Sequence, residues 1–276
     1  MSKLSNIEWT DHTWSPWWGC VKVSRGCKHC YAEALAKRTG LQVWGQDPRR
    51  MLSDAHWSVP ARWNREAAAK GIRYKVFPSM CDPLEASRRD LVYPRFDFRE
   101  LIRQTPNLDW LILTKRPEHI HLLQRVAINE EDVFPPNAHF LASVEGDSVK
   151  HRIHELTKRE RLYRVPRVMG LSVEPLVEPL VLKISDLAGI NWVIVGGESG
   201  SKESPMEGEW VESIRRICYL AGVPFFFKQW GDGASDEDKR RYSHLSQVRE
   251  WPSLLGPAVT KTKEATANAK AEVPRS

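Results

Sequence analysis

The chain has 276 residues, 41% hydrophobic and 28% charged, with a formal net charge of +6. That length suits one large domain or two ordinary ones, and the composition is that of a globular protein rather than a disordered or collagen-like chain. No apolar run approaches the ~18–20 residues that cross a bilayer, and the first residues lack the apolar core of a signal peptide, so the expectation is a cytoplasmic protein with no membrane partner.

Taken in chain order, the first feature is a crowd of tryptophans, Trp14, Trp17 and Trp18, running into Cys20. The first strand is expected within Trp14–Gly19. Cys20, Cys27 and Cys30 follow within eleven residues, and Tyr31–Lys37 reads as a helix. Residues 40–73 read as an irregular excursion with one helix, Pro60–Lys70. From Tyr74 onward a unit recurs: a short apolar run ends in polar residues, and a helical stretch follows. The runs are Tyr74–Phe77, Trp110–Leu113, His139–Ala142, Arg167–Leu171, Trp192–Val195 and Pro224–Phe227. Short runs rich in β-branched, leucine and aromatic residues fit strands buried on both faces of a parallel sheet, and the spacing leaves room for crossover helices. The expected helices include Arg99–Gln104 with Asp97 as N-cap, Val149–Glu160, and Trp210–Ala221 closed by Gly222. Cys218 falls on the apolar stripe of the last and reads as core.

Six such units in series predict a single-domain α/β fold, a parallel β/α barrel or partial barrel, over residues 1–235. Residues 236–276 are expected to be a C-terminal extension whose last ~20 residues are disordered. In a barrel the chemistry lies at the C-terminal strand ends. Those ends carry Asp82, Lys115, Arg116, Glu145, Glu174, Gly196, Gly197, Glu198 and Lys228. Lys115 and Lys228 are the candidate catalytic cations. Glu145, Glu174 and Glu198 are candidates for an amine or ribose hydroxyls, with Gly196 and Gly197 allowing close backbone approach.

The five cysteines are odd in number and clustered, which speaks for metal rather than a disulfide scaffold. Three thiolates suit an iron–sulfur cluster; they also suit zinc if His12, His29 or Cys81 supplies a fourth ligand. The basic balance and the tryptophans leave a second function open: a nucleic-acid-binding protein with a structural iron–sulfur or zinc site, whose indoles stack on unpaired bases. The basic run Lys158, Arg159, Arg161, Arg164 and Arg167 reads as a solvated face, with phosphate contact as the alternative.

The string from Trp14 to Glu33, WSPWWGCVKVSRGCKHCYAE, resembles the signature of a bacteriophage-associated family, the phage protein gp thirty-seven/gp sixty-eight family. The strings at 113–117 (LTKRP), 171–176 (LSVEPL), 192–200 (WVIVGGESG) and 226–231 (FFKQWG) agree with it. That family is similar to radical S-adenosylmethionine proteins. The resemblance implies a 4Fe-4S cluster on Cys20, Cys27 and Cys30, with one iron open for the amino and carboxylate groups of S-adenosylmethionine. It further implies one-electron cleavage of the cofactor's carbon–sulfur bond to a 5′-deoxyadenosyl radical. An electron donor and an unknown substrate, with nucleic acid or a nucleotide as candidates, are the partners this chemistry calls for. The spacing here is C-x6-C-x2-C, whereas common radical enzymes have C-x3-C-x2-C.

Overall fold

A computed structural model describes residues 5–123, 134–158, 168–199 and 204–259. Seven strands form one all-parallel sheet: His12–Thr13 (β1), Tyr74–Phe77 (β4), Leu108–Thr114 (β5), Ala138–Ser143 (β6), Met169–Val173 (β7), Trp192–Gly196 (β8) and Phe225–Gln229 (β9). Their order across the sheet is their order along the chain. Each crossover therefore adds its strand to the same side, which curls the sheet into a half-barrel and leaves β1 and β9 as edges. The other two strands, Trp17–Trp18 (β2) and Arg50–Met51 (β3), form a separate antiparallel pair.

The six expected strands are all present, each within two residues of its apolar run. The first strand is not where it was expected. It lies at His12–Thr13, because Trp14 turns its ring into the helix-side core, while Trp17 and Trp18 belong to the small pair beside the cysteine loop.

The helices are Tyr31–Arg38 (α1), Asp54–Trp57 (α2), Val59–Lys70 (α3), Val92–Gln104 (α4), His151–Thr157 (α5), Gly208–Ala221 (α6) and Asp236–Arg241 (α7). Helix α4 begins before Asp97, so this residue is internal and not an N-cap. Arg95 in its first turns is buried and donates to the Pro83 and Glu85 carbonyls, which anchors the early start. Helix α6 ends at Gly222 in the left-handed conformation, φ 66°, with Cys218 fully buried, as its apolar stripe predicts. The stretch expected as Val149–Glu160 is a 3-10 turn, Asp147–Val149, then α5; residues 159 and 160 lie outside the described residues.

Alternation along the strands separates two cores. Tyr74, Val76, Leu108, Trp110, Ile112, Phe140, Leu171, Val193, Val195, Phe225 and Phe227 pack outward under the helices. Phe77, Leu111, Leu141, Trp192, Ile194 and Phe226 point into the concave side, with Trp9 over them. A half-barrel leaves that side open, and the C-terminal segment fills it. The chain at 248–250 runs antiparallel along β9, with Phe227 N–H donating to the Val248 carbonyl at 3.0 Å and Glu250 N–H to that of Phe225 at 3.1 Å. Trp251 then packs on Trp192 and Phe226, at 5.0 and 5.4 Å between ring centroids. The buried Lys75 ammonium donates to the Pro257 carbonyl at 3.0 Å. Residues 236–259 thus share both cores with the half-barrel. The tail expected to be disordered lies, from residue 260 on, outside the described residues.

Candidate functional site

The C-terminal ends of the strands open into a cavity of about 440 Å³, within the size range of small-molecule sites. Its wall takes Ser79–Asp82 from the end of β4, Leu113–Arg116 from β5, Ser143 from β6, Ser172 and Glu174 from β7, Gly197–Ser199 from β8, and Lys228 and Gln229 from β9. The loop from Cys20 to Cys30 covers it. Cys20, Cys27 and Cys30 all line the cavity, as does Cys81, and all are free thiols.

Local structure holds the three sulfurs differently. Cys27 is buried at the end of a 3-10 turn, Arg25–Cys27, its N–H donating to the Ser24 carbonyl at 3.0 Å. Cys30 is the residue from which α1 starts. Burial raises the Cys30 thiol pKa, and the free amides of Glu33 and Ala32 at the helix start oppose this. Cys20 is pinned by charge. Arg116 Nη1 stands 3.8 Å from its Sγ, and Arg116 Nη2 donates to the Val21 carbonyl at 2.8 Å. Burial pushes the Cys20 thiol up to about 12, Asp82 adds to this, and Arg116 opposes it.

The strand-end carboxylates have divided roles. Glu145 is buried and lies under the cysteine loop rather than on the cavity wall. It accepts from Ser24 Oγ at 2.9 Å and Arg152 Nη1 at 2.8 Å, and it pairs with Lys115. A Cβ on Gly26 would come within 2.5 Å of Glu145 Cγ, so glycine is what lets the loop rest on this carboxylate. Two buried or near-buried cations face one anion there, and they hold the Glu145 carboxyl below its ordinary range against the effect of burial. Glu198 reaches the other end of the loop: its Oε2 accepts from Ser204 N–H at 2.7 Å and lies 3.2 Å from His29 Nδ1. Glu174 faces the cavity and pairs with Lys228 at 2.8 Å.

The glycines expected to admit a ligand chiefly admit protein. A Cβ at Gly197 would sit 2.0 Å from the Trp230 carbonyl oxygen, and one at Gly196 would sit 2.9 Å from Glu174 Oε1. Only Gly197 also lines the cavity. Among the possible fourth ligands, Cys81 and His29 are on the cavity wall. His12 is not; its ring stacks on Trp63 at 4.2 Å beneath α3, on the outer side of the sheet. None of the twelve tryptophans is fully exposed; Trp18, Trp44, Trp57, Trp210, Trp230 and Trp251 are half-buried, and Trp44 lines the cavity. The basic run, apart from Lys158, lies outside the described residues.

The sequence reading passed over the buried pairs that brace the site. Arg49 and Glu85, both nearly inaccessible, pair at 2.6 Å, and Arg49 also gathers the carbonyls of Val43, Gly45 and Asp47. Gly45 N–H in turn donates to the Cys20 carbonyl at 2.9 Å. A signal was present in the Asp82-x-x-Glu85 spacing after β4, but nothing in it named the arginines.

Cys20, Cys27, Cys30 and Cys81 are free thiols on the wall of one cavity, the donor type that an iron–sulfur group or, with a fourth ligand, a zinc ion would take. Among the described residues no three His, Cys, Asp or Glu side chains are grouped as a ready-made metal site.

Comparison with known proteins adds a family and no activity. No curated protein and no solved structure matches the chain. Among the described residues no helix is long and apolar enough to cross a membrane. Residues 4–270 match the family described as "Protein of unknown function (DUF5131)", and the chain belongs to that family.

Proposed function

We propose that this chain is an iron–sulfur protein that binds S-adenosylmethionine at the mouth of its half-barrel and cleaves it reductively to modify a further substrate. The observation that carries this reading is the placement of Cys20, Cys27 and Cys30, as free thiols, around one cavity at the C-terminal strand ends. A bound cluster would supply the electron and the open coordination position that the chemistry needs. The chain's own residues do the rest.

The Lys228–Glu174 pair crosses from β9 to β7 on the cavity wall and is partly open to it. With its amino and carboxylate groups at the open position, the cofactor would still offer amine N–H donors to Glu174 and a carboxylate oxygen to Lys228. Lys115 and Glu198 stand on the same wall, and Glu198 is already tied to the cysteine loop through His29. Glu145 props the loop from below, its carboxylate engaged by Ser24, Lys115 and Arg152.

The test is a titration of anaerobically reconstituted protein with S-adenosylmethionine, followed through the cluster's electron paramagnetic resonance signal and by assay of 5′-deoxyadenosine after reduction. Wild type is expected to respond. Glu174→Gln is expected to keep its iron and bind the cofactor roughly tenfold to a hundredfold more weakly, the cost of one charge-assisted contact of ~1.5–3 kcal/mol. A wild type that holds iron but shows no spectral change at millimolar cofactor contradicts the proposal.

A further inference from the structure

The Cys20 side of the loop is held by a buried charge relay that no strand or helix requires. Asp82 follows β4, and Arg116 follows β5. Asp82 Oδ2 accepts from Arg116 Nη1 at 2.7 Å, and the two side chains are each 8% exposed. Asp82 is itself fixed, accepting from Thr114 Oγ1 at 2.9 and 3.0 Å and from the backbone N–H groups of Leu84 and Lys115 at 3.0 and 3.1 Å. The guanidinium fork is therefore oriented, and its two outer nitrogens go to the Cys20 sulfur and the Val21 carbonyl. Burying an arginine is costly unless every donor is used. A structural ion pair would need only Asp82; this one spends its remaining reach on a candidate ligand and the carbonyl next to it. Cys27 and Cys30 have no such cation on their sulfurs among the hydrogen bonds of the described residues.

We propose that Arg116, aimed by Asp82, is a positioning residue that fixes Cys20 for metal binding and donates an N–H to its sulfur, making the bound cluster easier to reduce. The inference rests on the iron–sulfur reading above and deepens it. A hydrogen bond and a positive charge at a ligand sulfur stabilise the reduced, more negative state. In the reduction itself one electron enters the cluster from outside and no bond is made or broken.

The experiment uses the full chain, reconstituted anaerobically, with iron, sulfide and midpoint potential measured for four proteins. Arg116→Lys keeps the charge but loses the fork that reaches both Cys20 and Val21. Asp82→Asn with Arg116→Gln removes both charges together, so no lone buried carboxylate is left to unfold the site. Lys22→Met is the control: Lys22 also lines the cavity, but its ammonium pairs with Glu33 at 2.7 Å. Both Arg116 variants are expected to show a lower midpoint, by roughly a tenfold change in the reduced-to-oxidised ratio, or about 59 mV for one electron. Lys22→Met is expected to move it by less than a third of that. Loss of iron from both Arg116 variants, with wild type and Lys22→Met still loaded, also supports the positioning role. Wild-type iron and potential in both Arg116 variants overturns the proposal and leaves the iron–sulfur reading standing. A wild type that takes up no iron overturns both.

Discussion

The two faces of the sheet are built from the same strands and obey different rules. On the outer face β5 presents Leu108, Trp110 and Ile112 to α3 and α4, and nothing polar interrupts them. On the inner face the same strand presents Asp109, Leu111 and Leu113, and the polar group is buried but partnered: Asp109 lies 3.1 Å from Nε2 of the buried His139 and accepts from the exposed Arg73 at 2.7 Å. Further along, at the strand ends, the inner face becomes the charged mouth. Outer-face stability comes from apolar area and shape, whereas the mouth is held by partnered charges, each of which fails abruptly when its partner goes.

The largest expected effect breaks the outer face. Trp110 is inaccessible, packs edge-on against Trp14 and Phe98, and donates from its indole N–H to Thr105 Oγ1 at 3.0 Å. Trp110→Ala should cost about 3–5 kcal/mol in a denaturant titration, with no change in the slope of a two-state transition.

Next in size is the prop beneath the cysteine loop. Glu145→Gln leaves Lys115 and Arg152 without their shared anion and should cost about 3 kcal/mol, near the lower end for a broken buried pair because Lys115 is 20% exposed. The same contact fixes a pH dependence. Burial works to raise the Glu145 pKa, but Lys115 and Arg152 lower it below the ordinary 4.5. A depressed carboxylate contributes stability that is complete above 4.5 and is lost as pH falls through the lowered folded value. Proteolysis within residues 21–28 should therefore accelerate in wild type only below pH 4.5. In Glu145→Gln it should be fast at neutral pH as well.

A smaller effect tests whether the glycines serve packing. Gly197→Ala drives a methyl into the Trp230 carbonyl and should cost about 1–3 kcal/mol by overpacking, measured by thermal unfolding. A neutral result would mean that the β8 and β9 loops separate easily, and that Gly197 is there for a ligand alone.

The strands were legible because period and burial are local properties: runs such as Trp192–Val195, buried on both faces, read as parallel strand when crossover helices flank them. The mouth was legible in its inventory, since a barrel delivers strand-end residues to one place. Its assignments were not. Glu145 and Glu174 follow the same Ser-Val pattern 29 residues apart, yet one props a loop and the other faces the cavity. Which of them meets Ser24 and Gly26 depends on the path of a loop more than 110 residues earlier, and no spacing encodes that path. The first strand was misplaced for a related reason. The apolar richness of Trp14–Trp18 marks packing against several neighbours, while the pairing strand has two residues and no pattern to read.

The central claim is that three thiolates at the mouth hold an iron–sulfur cluster, and metal analysis of anaerobically purified protein tests it most directly. Wild type should contain iron and acid-labile sulfide in equal amounts with a brown chromophore. Cys20→Ala, Cys27→Ala and Cys30→Ala should each lose both, and Cys81→Ala and Cys218→Ala should keep them. Stoichiometric zinc with no iron in wild type, or a chromophore that survives the loss of any one of the three cysteines, would contradict the account.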